Sequence, residues 1–145
     1  MAVPVKVRIR NEGAGTDERY YGQYAYEGNA HHISFETDSG AHVFRIGARE
    51  AVISRPGTIA AQVRVVLGTH CPLQVGTPYG TLALSVRGES IRIRGTGADR
   101  TFTLTYALYQ GDAFADRVTV VVSARTYEEG TPGDFPDSHF ACHMA

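Results

Sequence analysis

The feature that most constrains this chain is a two-residue period that recurs from one end to the other. Phe102, Leu104, Tyr106 and Leu108 alternate with Thr101, Thr103, Thr105 and Ala107. Val3, Val5, Val7 and Ile9 alternate in the same way with Pro4, Lys6, Arg8 and Arg10. Successive side chains of a strand point to opposite faces, so this spacing describes strands with one buried and one solvated face. Further stretches of the kind run from Arg19 to Glu27, His31 to Glu36, Val43 to Ile46, Glu50 to Arg55, Gln62 to Leu67, Leu82 to Val86, Ile91 to Ile93 and Val118 to Val122. Turn residues punctuate them, notably Gly28-Asn29, Asp38-Ser39-Gly40, Gly88-Glu89, Gly95-Thr96-Gly97 and Gly111-Asp112. Ala48 to Val52 and Ala107 to Ala115 are the only stretches open to a helical reading. The pattern predicts an all-β antiparallel sandwich or barrel, and one apolar face per strand throughout favours a sheet curled on itself. Closure also removes the exposed edges that invite aggregation.

Cys71 to Leu82 (CPLQVGTPYGTL) concentrates special backbone residues between two strands. Pro78 fixes its own φ and keeps Thr77 extended, while Gly76 and Gly80 reach conformations closed to other residues. The expectation is a shaped corner with Tyr79 at its apex, setting how the two halves meet. Arg55-Pro56-Gly57 reads as a second corner.

A chain of 145 residues fits one domain able to bury roughly 70% of its unfolded surface, so its two cysteines need no structural role. Residues 1–125 form the expected barrel domain and 126–145 an irregular acidic tail, where Phe135 and Phe140 can dock. The tail carries −4 and the rest +3, with Lys6 the only lysine among the basic residues. The first residues alternate Val with Lys and Arg and lack the apolar core of a signal peptide, and no run approaches a membrane span. The expectation is a soluble cytoplasmic protein.

The run from Val52 to Val86 resembles the YwiB-like family of small bacterial proteins. The carrying residues are Arg55-Pro56-Gly57, the strand Gln62 to Leu67, and Thr77-Pro78-Tyr79-Gly80 leading into Leu82-Ala83-Leu84. His32-Ile33-Ser34-Phe35-Glu36 and Leu104-Thr105-Tyr106-Ala107-Leu108 are similar to two further strands of that family, so the likeness spans about residues 3–123. Val75, Thr37 and His32 depart from its usual pattern. The resemblance implies a single up-and-down calycin-like (lipocalin-like) β-barrel of about 8–10 strands. It implies an architecture and no reaction, since a fold does not dictate a function.

Candidate site residues follow from strand phase. Arg55 is in phase with Ala51 and Ile53, so it faces the interior, where a guanidinium needs an acceptor. It either binds a carboxylate or phosphate on a ligand at the barrel mouth, pairs with an internal acid such as Glu36, or caps backbone carbonyls of the nearby corner. Tyr24, Tyr26, Tyr79 and Tyr106, with Tyr20, fall on apolar phases, where a ring with a hydroxyl suits either a ligand pocket or plain core packing. So many aromatics argue for a mostly filled interior, and Gly22 is the one hint of free volume. The ligand-binding candidates are therefore Arg55, Tyr79, Glu36, Tyr24, Tyr26 and Tyr106, with a small amphipathic or anionic molecule as the expected partner.

Other chemistries find less support. His31 and His32 are strand neighbours on opposite faces and cannot share one ion, and His139, Cys142 and His143 lack a paired Cys-x-x-Cys, so no metal or other cofactor is expected. Neither cysteine nor any serine sits in a recognisable nucleophile setting, although His70 and Cys71 are adjacent, and no catalytic residue is assigned. Arg87, Arg92 and Arg94 on one expected hairpin, with Arg8, Arg10 and Arg64 on other strands, could make an outer face for nucleic acid or a protein partner. A body charge of +3 is weak for that role.

Overall fold

The computed structural model describes residues 2–58 and 60–127. They form ten antiparallel strands and no helix: β1 (Val3–Asn11), β2 (Thr16–Glu27), β3 (Ala30–Thr37), β4 (Gly40–Ile46), β5 (Glu50–Ser54), β6 (Gln62–Val66), β7 (His70–Thr77), β8 (Gly80–Thr96), β9 (Asp99–Gln110) and β10 (Ala113–Thr126). Every strand pairs with its neighbour in sequence except across the β6–β7 link, and β1 pairs with β10. The ends of the chain are thus joined in register, with Val5 opposite Thr126 and Asn11 opposite Val120. The sheet is an up-and-down barrel, nearly closed, with a seam between β6 and β7.

At the seam, Leu67 bridges to Gly88 of β8, and Gly68 N–H donates to the Gly88 carbonyl at 3.0 Å. The approach is close enough that a Cβ on Gly88 would stand 2.7 Å from the Val66 carbonyl oxygen. Only glycine admits this crossing without displacing backbone.

The two-residue period places the core as expected. Val5, Val7, Ile33, Phe44, Ile46, Val65, Val86, Phe102, Leu104 and Val122 are essentially sealed from solvent. Each such side chain contributes about 1.5–3 kcal/mol through burial. Phe102, Leu104 and Tyr106 all face inward, as their alternation requires.

Several local expectations are corrected. Cys71–Leu82 is not a corner between halves: Cys71 to Thr77 lie in β7, Pro78-Tyr79 is a two-residue hairpin turn, and Gly80 opens β8. Thr77 Oγ1 secures the turn, donating to the Gly80 carbonyl at 2.6 Å and accepting from Tyr79 N–H at 3.2 Å. Tyr79 is 99% exposed at the tip. Pro72 is tolerated because β7 is an edge strand, where a missing N–H costs no sheet bond. Gly88-Glu89 does not turn the chain; β8 runs through it with a bulge between Gly88 and Ser90, so Arg87, Arg92 and Arg94 share one strand. Ala107 to Ala115 is the β9–β10 hairpin, and Ala48 to Val52 leads into β5. Gly22 marks no void: a Cβ there would overlap the Ser34 carbonyl of β3, so the glycine answers close strand packing.

Thr126, placed in the tail by the sequence reading, is the last residue of β10. The rest of that tail, with Phe135, His139, Phe140, Cys142 and His143, lies outside the described residues, apart from Tyr127. Among the described residues no helix is long and apolar enough to cross a membrane.

Candidate functional site

Among the described residues, aromatic side chains pack one end of the barrel, the filled end, and a cavity opens at the other. At the filled end, Tyr24 and His31 meet through their hydroxyl and Nδ1 at 2.7 Å, and the His31 ring lies 5.1 Å from that of Phe102. At the other end a cavity of about 580 Å³ opens between the β1–β2 turn and the β5–β6 link. Its walls are mainly apolar, built from Ile9, Phe44, Ile53, Val63 and Val120 with Tyr106. Asn11, Thr16 and Thr58 add neutral polar groups near the rim, and Glu18 and Arg55 are the charged residues that line it among those described.

Strand phase brings the charged pair inward. Arg55 follows β5 directly, continuing the inward phase of Ala51 and Ile53, and its N–H donates to the Ala61 carbonyl at 2.7 Å across the link. Thr58 Oγ1 donates to the Arg55 carbonyl at 2.7 Å, holding the same link. Glu18 shares the inward phase of Tyr20, Gly22 and Tyr24 on β2 and lies opposite Ile9 of β1. Arg55 Nη1 donates to Glu18 Oε2 at 3.2 Å and Nη2 to Oε1 at 2.9 Å, a bidentate fork. The side chains are only 17% and 32% exposed, so the pair is partly withdrawn from water.

The pair is braced on both sides. Tyr20 donates its hydroxyl to Glu18 Oε1. Arg55 Nε donates to His42 Nδ1 at 3.2 Å, which leaves the proton of a neutral His42 on Nε2, 2.8 Å from Thr37 Oγ1. Phe35 stacks between the Tyr20 and His42 rings, at 4.1 and 4.9 Å. The Arg55 guanidinium carbon lies 5.8 Å from the ring centres of Phe35 and Phe44, in cation–π range.

Ionisation follows from these contacts. Burial works to raise the Glu18 carboxyl, but hydrogen bonds from Arg55 and Tyr20 outweigh it and hold the group below its ordinary range. Burial, reinforced by the adjacent Glu18 carboxylate, pushes the Tyr20 hydroxyl up to about 12. His42 is lowered, first by burial and then by the Arg55 charge, so it stays neutral beside the guanidinium. Burial also pushes the Tyr106 hydroxyl up to about 12. No hydrogen bond ties Tyr106 to another described residue. Since no sealed side-chain polar atom among the described residues lacks a partner, its hydroxyl meets open space.

Of the six residues singled out by phase, Arg55 and Tyr106 line this cavity. Tyr24 is buried at the filled end, Tyr26 is 55% exposed beyond it, and Tyr79 stands on the distant hairpin tip. Glu36 points outward, opposite in phase to Phe35, and the acid that meets Arg55 is Glu18 instead. Glu18, Tyr20 and His42 complete the cluster. The signal for them was phase alone: Glu18 continues the Tyr20–Gly22–Tyr24 face and His42 that of Phe44 and Ile46.

His70 and Cys71 do not act together, since Cys71 is buried inside while His70 is exposed beside Ser85 and Tyr109. Among the described residues no group of three or more histidines, cysteines or acids could hold a metal ion.

No curated protein matches the chain. Among solved structures it is similar to the crystal structure of the ywiB protein from Bacillus subtilis, with a TM-score of 0.61 at 18% identity, covering 86% of this chain and 94% of that one. At that identity the likeness speaks for the fold, and it supports the barrel described above. Residues 3–121 match the family described as a domain of unknown function, DUF1934. With that match spanning the ten-stranded sheet except for the last five residues of β10, the chain belongs to the DUF1934 family, whose YwiB-like barrel it shares.

Proposed function

We propose that this protein is a binding module for a small, mainly apolar molecule with a polar end, held in the hollow end of the barrel. The observation that carries the reading is the cavity of about 580 Å³ with apolar walls and a Tyr106 hydroxyl that bonds no other described residue. Ligand pockets commonly occupy roughly 300–1,000 Å³ and pair an apolar lining with a few polar groups that fix orientation. Arg55, Glu18 and Tyr106 are the residues assigned to the polar end.

The rival reading, an arginine-rich outer face for nucleic acid or protein, draws less support. Arg8 pairs with Asp17 at 2.7 Å, Arg64 with Glu50 at 2.9 Å and Arg117 with Glu89 at 2.7 Å, which reduces the charge offered to phosphate.

Native mass spectrometry of the protein purified from its own host tests the reading. The expected result is an adduct of small-molecule mass that is lost in Val63→Phe, where a larger ring fills the cavity. A bare protein mass that gains no adduct from host extract would count against it.

A further inference from the structure

Resting on that binding reading, we propose that the cavity selects an electrically neutral ligand, an apolar molecule carrying a hydrogen-bond acceptor such as a ketone or ester oxygen, and rejects carboxylates and sulfonates of the same shape. The lone arginine suggested by strand phase would favour an anion. The structure pairs that arginine. Glu18 occupies the guanidinium fork at 2.9 and 3.2 Å, and His42 takes Nε at 3.2 Å. The remaining Nη hydrogens keep hydrogen-bonding capacity but carry no uncompensated charge.

An entering anion therefore has two routes, and both are unfavourable. It can displace Glu18 from Arg55, leaving a carboxylate that Tyr20 also anchors in a partly buried position. Or it can sit desolvated among Ile9, Phe44, Ile53 and Val63 with no counter-charge. A cation meets the mirror-image problem. A neutral acceptor meets neither, because Tyr106 offers a donor that no described residue uses. Burial keeps that hydroxyl protonated at any working pH.

Two fluorescent probes that share a ring skeleton, N-phenyl-1-naphthylamine and 8-anilinonaphthalene-1-sulfonate, differ by the sulfonate and test this selectivity. Only signal lost in Val63→Phe is assigned to the cavity. The neutral probe should bind at least about tenfold more tightly, the scale of one hydrogen bond to a charged group. Glu18→Gln exposes the Arg55 charge and should raise sulfonate affinity by about tenfold or more. The double variant Glu18→Gln/Arg55→Gln, again uncharged, should reject the sulfonate as the parent does. Circular dichroism checks that each variant keeps its sheet. A neutral ketone probe, 6-propionyl-2-dimethylaminonaphthalene, should shift its emission to the blue in Tyr106→Phe as its carbonyl loses a donor.

Equal affinity for the two matched probes, or no sulfonate gain in folded Glu18→Gln, would overturn charge selection while leaving a binding cavity in place. Binding of neither matched probe nor the ketone would overturn the cavity reading itself, and this inference with it.

Discussion

His42 is the residue on which the mouth cluster turns. Its Nδ1 accepts from Arg55, so protonation would set an imidazolium against a guanidinium and remove that hydrogen bond. His31, at the filled end, is also lowered, mainly by burial. Both histidines therefore resist protonation more in the fold than in the unfolded chain, which takes up protons near pH 6.5. The unfolded state then binds more protons, so stability falls as pH drops through and below that value, by up to about 1.4 kcal/mol per pH unit for each histidine. Glu18, whose carboxyl is also held low, adds a second loss only at more acidic pH, below about 4.3. Urea unfolding between pH 7.5 and 5.5 should show this slope. His42→Asn, which keeps an acceptor for Arg55, should reduce it by about half, since one of two linked protons is removed. A flat profile would contradict the account. At this scale the sequence spoke clearly for Arg55, whose phase points inward. An internal acid was one partner open to it, but the example offered, Glu36, follows inward-facing Phe35 and points out. Glu18 obeys the same rule and would have been found by extending the Tyr20 face one step.

Strands proved more legible than the segments joining them. The alternating stretches anticipated most of the ten strands because burial of one face imposes the period directly. Glycine and proline misled in two places. Pro72, Gly76, Pro78 and Gly80 looked like a corner because such residues usually end strands, yet an edge hairpin accommodates them. Gly88 looked like a turn because its true cause, the Val66 backbone crossing at the seam, is remote in sequence. The two sites should therefore respond in opposite ways. Tyr79→Ala, at a 99% exposed tip, should change stability by less than about 0.5 kcal/mol. Gly88→Val should cost about 1–3 kcal/mol through overpacking and speed hydrogen exchange at Gly68 N–H, which bonds Gly88 across the seam. Unchanged exchange there would mean that the seam does not depend on this glycine.

Among the described residues, the barrel joins an end packed with aromatic rings to one that holds a cavity. Up-and-down order was readable because every strand pairs with its sequence neighbour except across the β6–β7 seam, and β1 joins β10. The hollow was not, because free volume depends on the summed sizes of side chains from many strands. Counting aromatics suggested a filled interior. In fact Tyr24, His31 and Phe102 gather at one end, while Phe35 and Tyr20 stack around the rim of the other. The apolar space this leaves is the basis of the binding reading, whatever molecule fills it. Diffraction from crystals of the protein pressurised with xenon tests it most directly, since xenon enters apolar cavities without regard to ligand chemistry. A xenon peak bounded by Phe44, Val63 and Tyr106 is expected, with Arg55 still paired to Glu18. Side chains collapsed into that space, with no xenon among them, would contradict it.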